Sequence, residues 1–254
     1  MKKKTIIPLV LSFITLSTLS IASDEPVVLK GFRLNTNLVE KDFTMMSESP
    51  TRNDIMNYIK KTNPRINYET SEAIAENVIK VSECFKIDPW ILTGLIKKES
   101  TFNPKAISPT NAVGLTQFTS AGINEVNDQL GLKGTAYASP DSIEYFNNKI
   151  KTCIDPTWKH AWDRVAVQKD DPEFISEVKT LIMSDIELAV TYGGILLKTY
   201  LVVVDGKHDM RTSEIYFRAL QIYNGEPGNA KVEYARAIFK NLKEMYPKKV
   251  NFNF

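Results

Sequence analysis

Between residues 70 and 130 apolar side chains recur every three to four positions, the spacing of helices that bury one face. Ile74, Val78, Val81 and Phe85 form the first stripe, behind Thr70 or Ser71 as N-cap. Asp88-Pro89 then pairs a capping carboxylate with a ring whose missing N–H is harmless at the first helical position, which predicts a second helix carrying Leu92, Leu95 and Ile96. A third is predicted over 120–130, ending near Gly131. The rhythm breaks over 131–184, where Gly134, Pro140, Cys153, Pro156, Trp158 and Trp162 sit among mixed charges and predict short helices with loops. It resumes over 185–201, with Ile186, Ala189, Gly193, Leu196 and Tyr200 on one stripe and Gly193-Gly194 permitting close helix approach. Two more helices, over 211–223 and 229–246, flank the stop sequence Asn224-Gly225-Glu226-Pro227-Gly228. LVVVD at 201–205 could form a short strand, but no longer alternating run opposes an all-α class. Residues 23–68 are polar and irregular apart from a helical stretch over 54–61, and read as an arm or cap.

One polar residue interrupts this pattern. At about 100° per residue, Glu99 projects about 20° from the middle of the Leu92/Leu95/Ile96 stripe, while Lys97 and Lys98 point elsewhere. A carboxyl on a core-facing stripe loses hydration, and at a helix C-terminus it meets the negative end of the macrodipole. Both effects favour the protonated form. Such a group is suited to donate a proton near neutral pH. The competing reading is a stripe that ends with its last head turned to solvent, and the segments C-terminal to Glu99 weigh against it.

Composition narrows the setting. MKKK followed by an apolar run over 6–21 and Ser20-Ile21-Ala22 reads as a secretory signal peptide over 1–22, too short to span a bilayer as a stable anchor. No cysteine stands directly after it to carry a lipid. Removing Lys2, Lys3 and Lys4 takes the formal charge from +2 to −1, without the positive field of a nucleic-acid binder. In an exported chain Cys84 and Cys153 are either a disulfide closing a long loop or two separate buried thiols. His160 and His208 lack metal-ligand spacing, so neither a metal site nor a histidine-based triad is expected. Trp158 and Trp162 suit core packing better than a sugar-stacking platform.

Three ordered segments, IKKESTFNPKAISP at 96–109, NAVGLTQF at 111–118 and ALQIYNGEPGNAKVEYA at 219–235, resemble the catalytic domain of the soluble lytic transglycosylases, goose-lysozyme-like enzymes that cut peptidoglycan. The resemblance includes DPWILTGLI at 88–96 and SDIELAVTYGGILLKTYL at 184–201, and implies a single lysozyme-like all-α lobe over 71–250 with an insertion at 131–184. By position it makes Glu99 the catalytic acid, and Ser108, Gln117, Tyr223 and Asn224 substrate-binding, with Tyr223 hydrogen-bonded to Glu99 across a groove. Thr116 and Thr119-Ser120 replace the usual methionine and methionine-proline, and Gly225-Glu226 replaces alanine-glycine, which would put Glu226 near the cleft rim.

The implied reaction breaks the β-1,4 bond between N-acetylmuramic acid and N-acetylglucosamine, leaving 1,6-anhydromuramic ends, with one glutamate as acid and then base and no cofactor. The implied protein is an exported, periplasmic or secreted monomer whose partner is the glycan strand. Two alternatives stay open. A hydrolytic muramidase needs a second carboxylate. Glu125, Asp128, Asp141, Glu144 and Glu226 are the candidates, each read by default as a solvated surface charge. A non-catalytic peptidoglycan binder would have no chemical need for Glu99.

Overall fold

A computed structural model describes residues 34, 36–45, 48–132, 138–154, 172–206 and 210–245. The signal-peptide segment, both histidines and the Trp158/Trp162 pair lie outside these residues. Every regular element among them is a helix: α1 Thr36–Val39, α2 Arg52–Thr62, α3 Tyr68–Phe85, α4 Pro89–Ser100, α5 Ser120–Gln129, α6 Pro140–Cys153, α7 Pro172–Ser184, α8 Ile186–Asp205, α9 Thr212–Asn224 and α10 Asn229–Met245. The all-α class therefore holds.

α8 is the axis of the fold. It is apolar on nearly every face and buried from Leu188 to Val204, against α3, α9, α5, α7 and α1. Its length and hydropathy would suit a membrane span, but 83% of the apolar window is buried inside the protein. Residues 201–205, which could have formed a strand, are its last turn, since a helix enclosed on all sides tolerates β-branched residues that tertiary packing holds in place. The paired glycines do admit close neighbours: a Cβ on Gly194 would stand 2.4 Å from the Val81 side chain, and one on Gly193 2.7 Å from that of Thr116.

Local chemistry sets the helix starts. Asp88 Oδ1 accepts from the backbone N–H groups of Trp90 and Ile91, as its sequence predicts, while Oδ2 accepts from Met45 N–H at 3.0 Å. α3 begins two residues before the expected cap, because the Asn67 side chain accepts from Thr70 N–H. The stretch predicted over 54–61 is extended by a reciprocal cap between Thr51 and Asp54.

The segment read as an insertion and the arm both contribute to the core. α6 and α7 bury Phe146, Ile150, Phe174, Val178 and Ile182 completely. Cys84 and Cys153 are disulfide-bonded, with Cα atoms 5.9 Å apart, and tie the end of α3 to the end of α6. Closing so long a loop contributes about 4 kcal/mol in the chain-entropy account. The arm enters the core as well. Residues 38–45 form a strap in which Phe43 is fully buried, worth about 2 kcal/mol, and Lys41 pairs with Asp205 at 2.7 Å. Beneath it lies the fully buried Lys198, whose Nζ donates to the Lys41 carbonyl at 2.6 Å and sits 4.6 Å from the centre of the Phe43 ring.

Candidate active site

Glu99 occupies the penultimate position of α4, shortly after a wholly buried run from Pro89 to Ile96. The helix is ended by two successive left-handed residues, Thr101 (φ 51°) and Phe102 (φ 62°). Each costs on the order of 1–3 kcal/mol for a side chain with a Cβ, which full burial of Phe102, packed edge-on against Tyr58, offsets. The chain is thereby turned sharply away from the carboxyl it has just placed.

The Glu99 side chain is only partly exposed. Loss of hydration pushes its carboxyl from 4.5 up to about 7, against a hydrogen bond from the Tyr234 hydroxyl and the nearby cation of Lys98, both of which favour the ionised form. Burial wins. Tyr234, on α10, is itself buried, and burial with the adjacent Glu99 holds its phenol well above the ordinary range. Tyr223, at the end of α9, is raised by burial and then by Glu99, so it too lies near the carboxyl. Its hydroxyl, however, donates to the Thr116 carbonyl at 3.1 Å. The hydrogen bond expected from Tyr223 to Glu99 is thus made by Tyr234. Tyr234 lies in the third sequence segment, outside the residues that the resemblance assigns to the site. A polar-tipped aromatic in line with Ile238 and Leu242 on the buried face of α10 is the signal that could have marked it.

Ser108 and Gln117 belong to a tightly wound loop beside the site. Ser108 N–H donates to the Ala112 carbonyl, and Ser108 Oγ accepts from Ala112 N–H at 3.0 Å and pairs with Thr110 Oγ1 at 2.9 Å. Gln117, left-handed at φ 50°, turns its Nε2 onto the carbonyls of Ala106 (3.2 Å) and Gly114 (3.0 Å). Both side chains are half-buried and hold the loop in shape. Gly114 is required there: at φ +77° a Cβ would stand 2.6 Å from the Ile182 side chain. Thr116 is fully buried against Gly193, so the residue in the usual methionine position faces the core while its carbonyl orients Tyr223. Asn224 Oδ1 is enclosed without a hydrogen-bond partner among the described residues.

Of the candidate second acids, Glu125 and Asp128 are buried rather than solvated, contrary to the reading from sequence. α5 is covered by α6, α7 and α8, which hides the side chains that an isolated amphipathic helix would expose. Glu125 accepts from Gln129 at 3.2 Å and lies close enough to Tyr200 to oppose ionisation of its phenol; the Tyr200 ring packs edge-on against Tyr223, 6.3 Å between centres. Glu226 is exposed on the loop after Asn224. Asp141 and Glu144 line a cavity of about 380 Å³ between the strap and α6, to which no residue of the Glu99 site contributes.

Residues 76–153 match the transglycosylase SLT domain family. Over this span the chain is similar to an SLT domain. The matched span holds Glu99, Ser108 and Gln117 and ends at Cys153, within the segment read as an insertion; Tyr223, Asn224 and Tyr234 lie beyond it. Searches of curated proteins and of solved structures give no match. An SLT domain implies lytic transglycosylase activity on peptidoglycan, exerted outside the cytoplasm, and the disulfide fits an oxidising compartment.

Proposed function

We propose that the SLT domain cleaves the β-1,4 bond between N-acetylmuramic acid and N-acetylglucosamine with Glu99 as acid and then base, leaving 1,6-anhydromuramic ends. The supporting observation is the Glu99 carboxyl itself, raised to about 7 by burial while Tyr234 donates to it. Protonated, it can deliver a proton to the leaving glycosidic oxygen as positive charge develops on the sugar. The resulting carboxylate then takes the proton of the muramic 6-hydroxyl as that oxygen closes on the anomeric carbon. The proton given up in the first step is recovered in the second, so no water is consumed. Tyr234 holds the carboxyl through both steps.

The glycan strand would lie between the end of α4 and the Tyr223-Asn224 turn. Asn224, partly exposed on that turn, would contact the sugar there. Ser108 and Gln117 contribute by fixing the loop that borders the sugar, Gln117 through its two backbone acceptors. The chain acts as an exported monomer after removal of residues 1–22.

Mass spectrometry of fragments released from purified sacculi tests this reading. Anhydro ends, one water lighter than reducing ends, are expected. Reducing ends would instead show hydrolysis and turn attention to Glu125 as second carboxylate, and binding without any release would leave a non-catalytic wall protein.

A further inference from the structure

The last turn of α4 carries two lysines whose ammonium groups go separate ways. Lys97 reaches α10, where its Nζ donates to Asn241 Oδ1 at 2.9 Å and Glu244 Oε2 at 3.1 Å. Lys98, expected to point away from the site, extends instead over the Tyr234 ring, 5.8 Å from its centre. The hydroxyl of that same ring donates to Glu99. Ammonium, phenol and carboxyl therefore stand in series across the contact between α4 and α10.

A cation at an aromatic face is attracted by the ring quadrupole, which steadies the ring. It also draws electron density from the phenol, making the O–H a stronger donor to the group that accepts it. Both consequences favour an ionised Glu99. Among the described residues, the titratable and charged groups near the carboxyl are Lys98 on its own helix, Tyr223 from α9 and Tyr234 from α10. Burial opposes them. An acid that must release its proton and then recover one works best when these influences balance near the operating pH.

We propose that Lys98 is a positioning residue for Glu99, acting through Tyr234: its ammonium fixes the phenol against the carboxyl and offsets the burial that would otherwise hold the proton too tightly. The proposal rests on the acid–base role given to Glu99 above. Lys98 is solvent-exposed, so replacing it leaves the core untouched.

The test is a carbon-13 NMR titration of the Glu99 carboxyl in the full chain, in the parent, Lys98→Met and Lys98→Arg proteins. Lys98→Met is expected to shift the Glu99 midpoint upward by roughly half a pH unit, while Lys98→Arg, whose guanidinium also stacks on a ring, keeps the parent value. Raising salt to about 0.5 M screens an exposed cation, so the parent midpoint should rise toward that of Lys98→Met, which itself stays put. Identical midpoints for parent and Lys98→Met, or equal shifts in the Met and Arg variants, overturn the proposal. The readout is the carboxyl rather than turnover. A shift found in a protein that releases nothing from sacculi would therefore sink the enzymatic reading and leave the link from Lys98 to Glu99 standing.

Discussion

Glu99 and Lys198 are both ionisable groups withdrawn from water, and burial drives each toward its neutral form near pH 7 from opposite sides. Glu99 goes up from 4.5, and Lys198 comes down from 10.5 to about 7, by burial first and then by repulsion from Lys86 and Lys149 against the pull of Asp42 and Glu40. Their surroundings differ in kind. Glu99 keeps partial contact with solvent and is served by an adjustable donor, Tyr234, itself capped by Lys98. Lys198 is sealed beneath the strap with a backbone carbonyl and an aromatic face for company. A displaced pKa alone therefore does not identify a catalytic group. Access and a side-chain hydrogen-bonding partner are what set Glu99 apart from Lys198.

The largest expected effect that sharpens this contrast concerns Lys198. Its folded-state pKa lies below the unfolded value, so between pH 7 and 10.5 the unfolded chain binds more protons and stability rises with pH. The slope is about 1.4 kcal/mol per pH unit, or roughly 2–3 kcal/mol from pH 7 to pH 9, and is absent below pH 7. Urea unfolding across that range should show it in the parent and not in Lys198→Met. A Met variant that tracks the parent curve would remove Lys198 from the comparison.

Glu99 gives the opposite sign. Its folded pKa exceeds the unfolded one, so between 4.5 and 7 the native state binds more protons and stability falls as pH rises. Glu99→Gln should accordingly be more stable than the parent above pH 7, by about 1–2 kcal/mol after allowing for its partial exposure, and no different near pH 4. A variant less stable at pH 8 would mean that the carboxylate is structural.

Smaller again is the change expected for Tyr234→Phe, which keeps the ring and deletes the donor. Turnover should fall about tenfold, and the alkaline limb of the pH–activity profile should move upward because a group favouring ionised Glu99 is gone. An unmoved limb would separate Tyr234 from the proton chemistry.

These two groups also mark what a sequence discloses. Glu99 is legible because its stripe, the Asp88-Pro89 start and the flanking motifs are all local, and periodicity places the carboxyl on the inward stripe. Gly193-Gly194 is legible for the same reason. Lys198 sits in an apolar helix where nothing nearby in sequence announces it. It is buried by Phe43 and Lys41, more than 150 residues earlier, through a strap whose polar composition suggests a loose arm. Tyr234 is hidden likewise, since its pairing with Glu99 depends on how α10 crosses α4. The inward turn of Thr116 and the burial of Glu125 arise from contacts with α8 and its neighbours that no short-range pattern encodes. Helix class and the inward-facing carboxyl are readable along the chain; the partners of that carboxyl are not.

The proposed function makes Glu99 the acid of the reaction. Its most direct measurement is solubilisation of purified sacculi by Glu99→Gln beside the parent, with circular dichroism confirming equal folding. A loss of at least about a hundredfold is expected, the lower range for removing a general acid. Release of fragments by Glu99→Gln at the parent rate would contradict it.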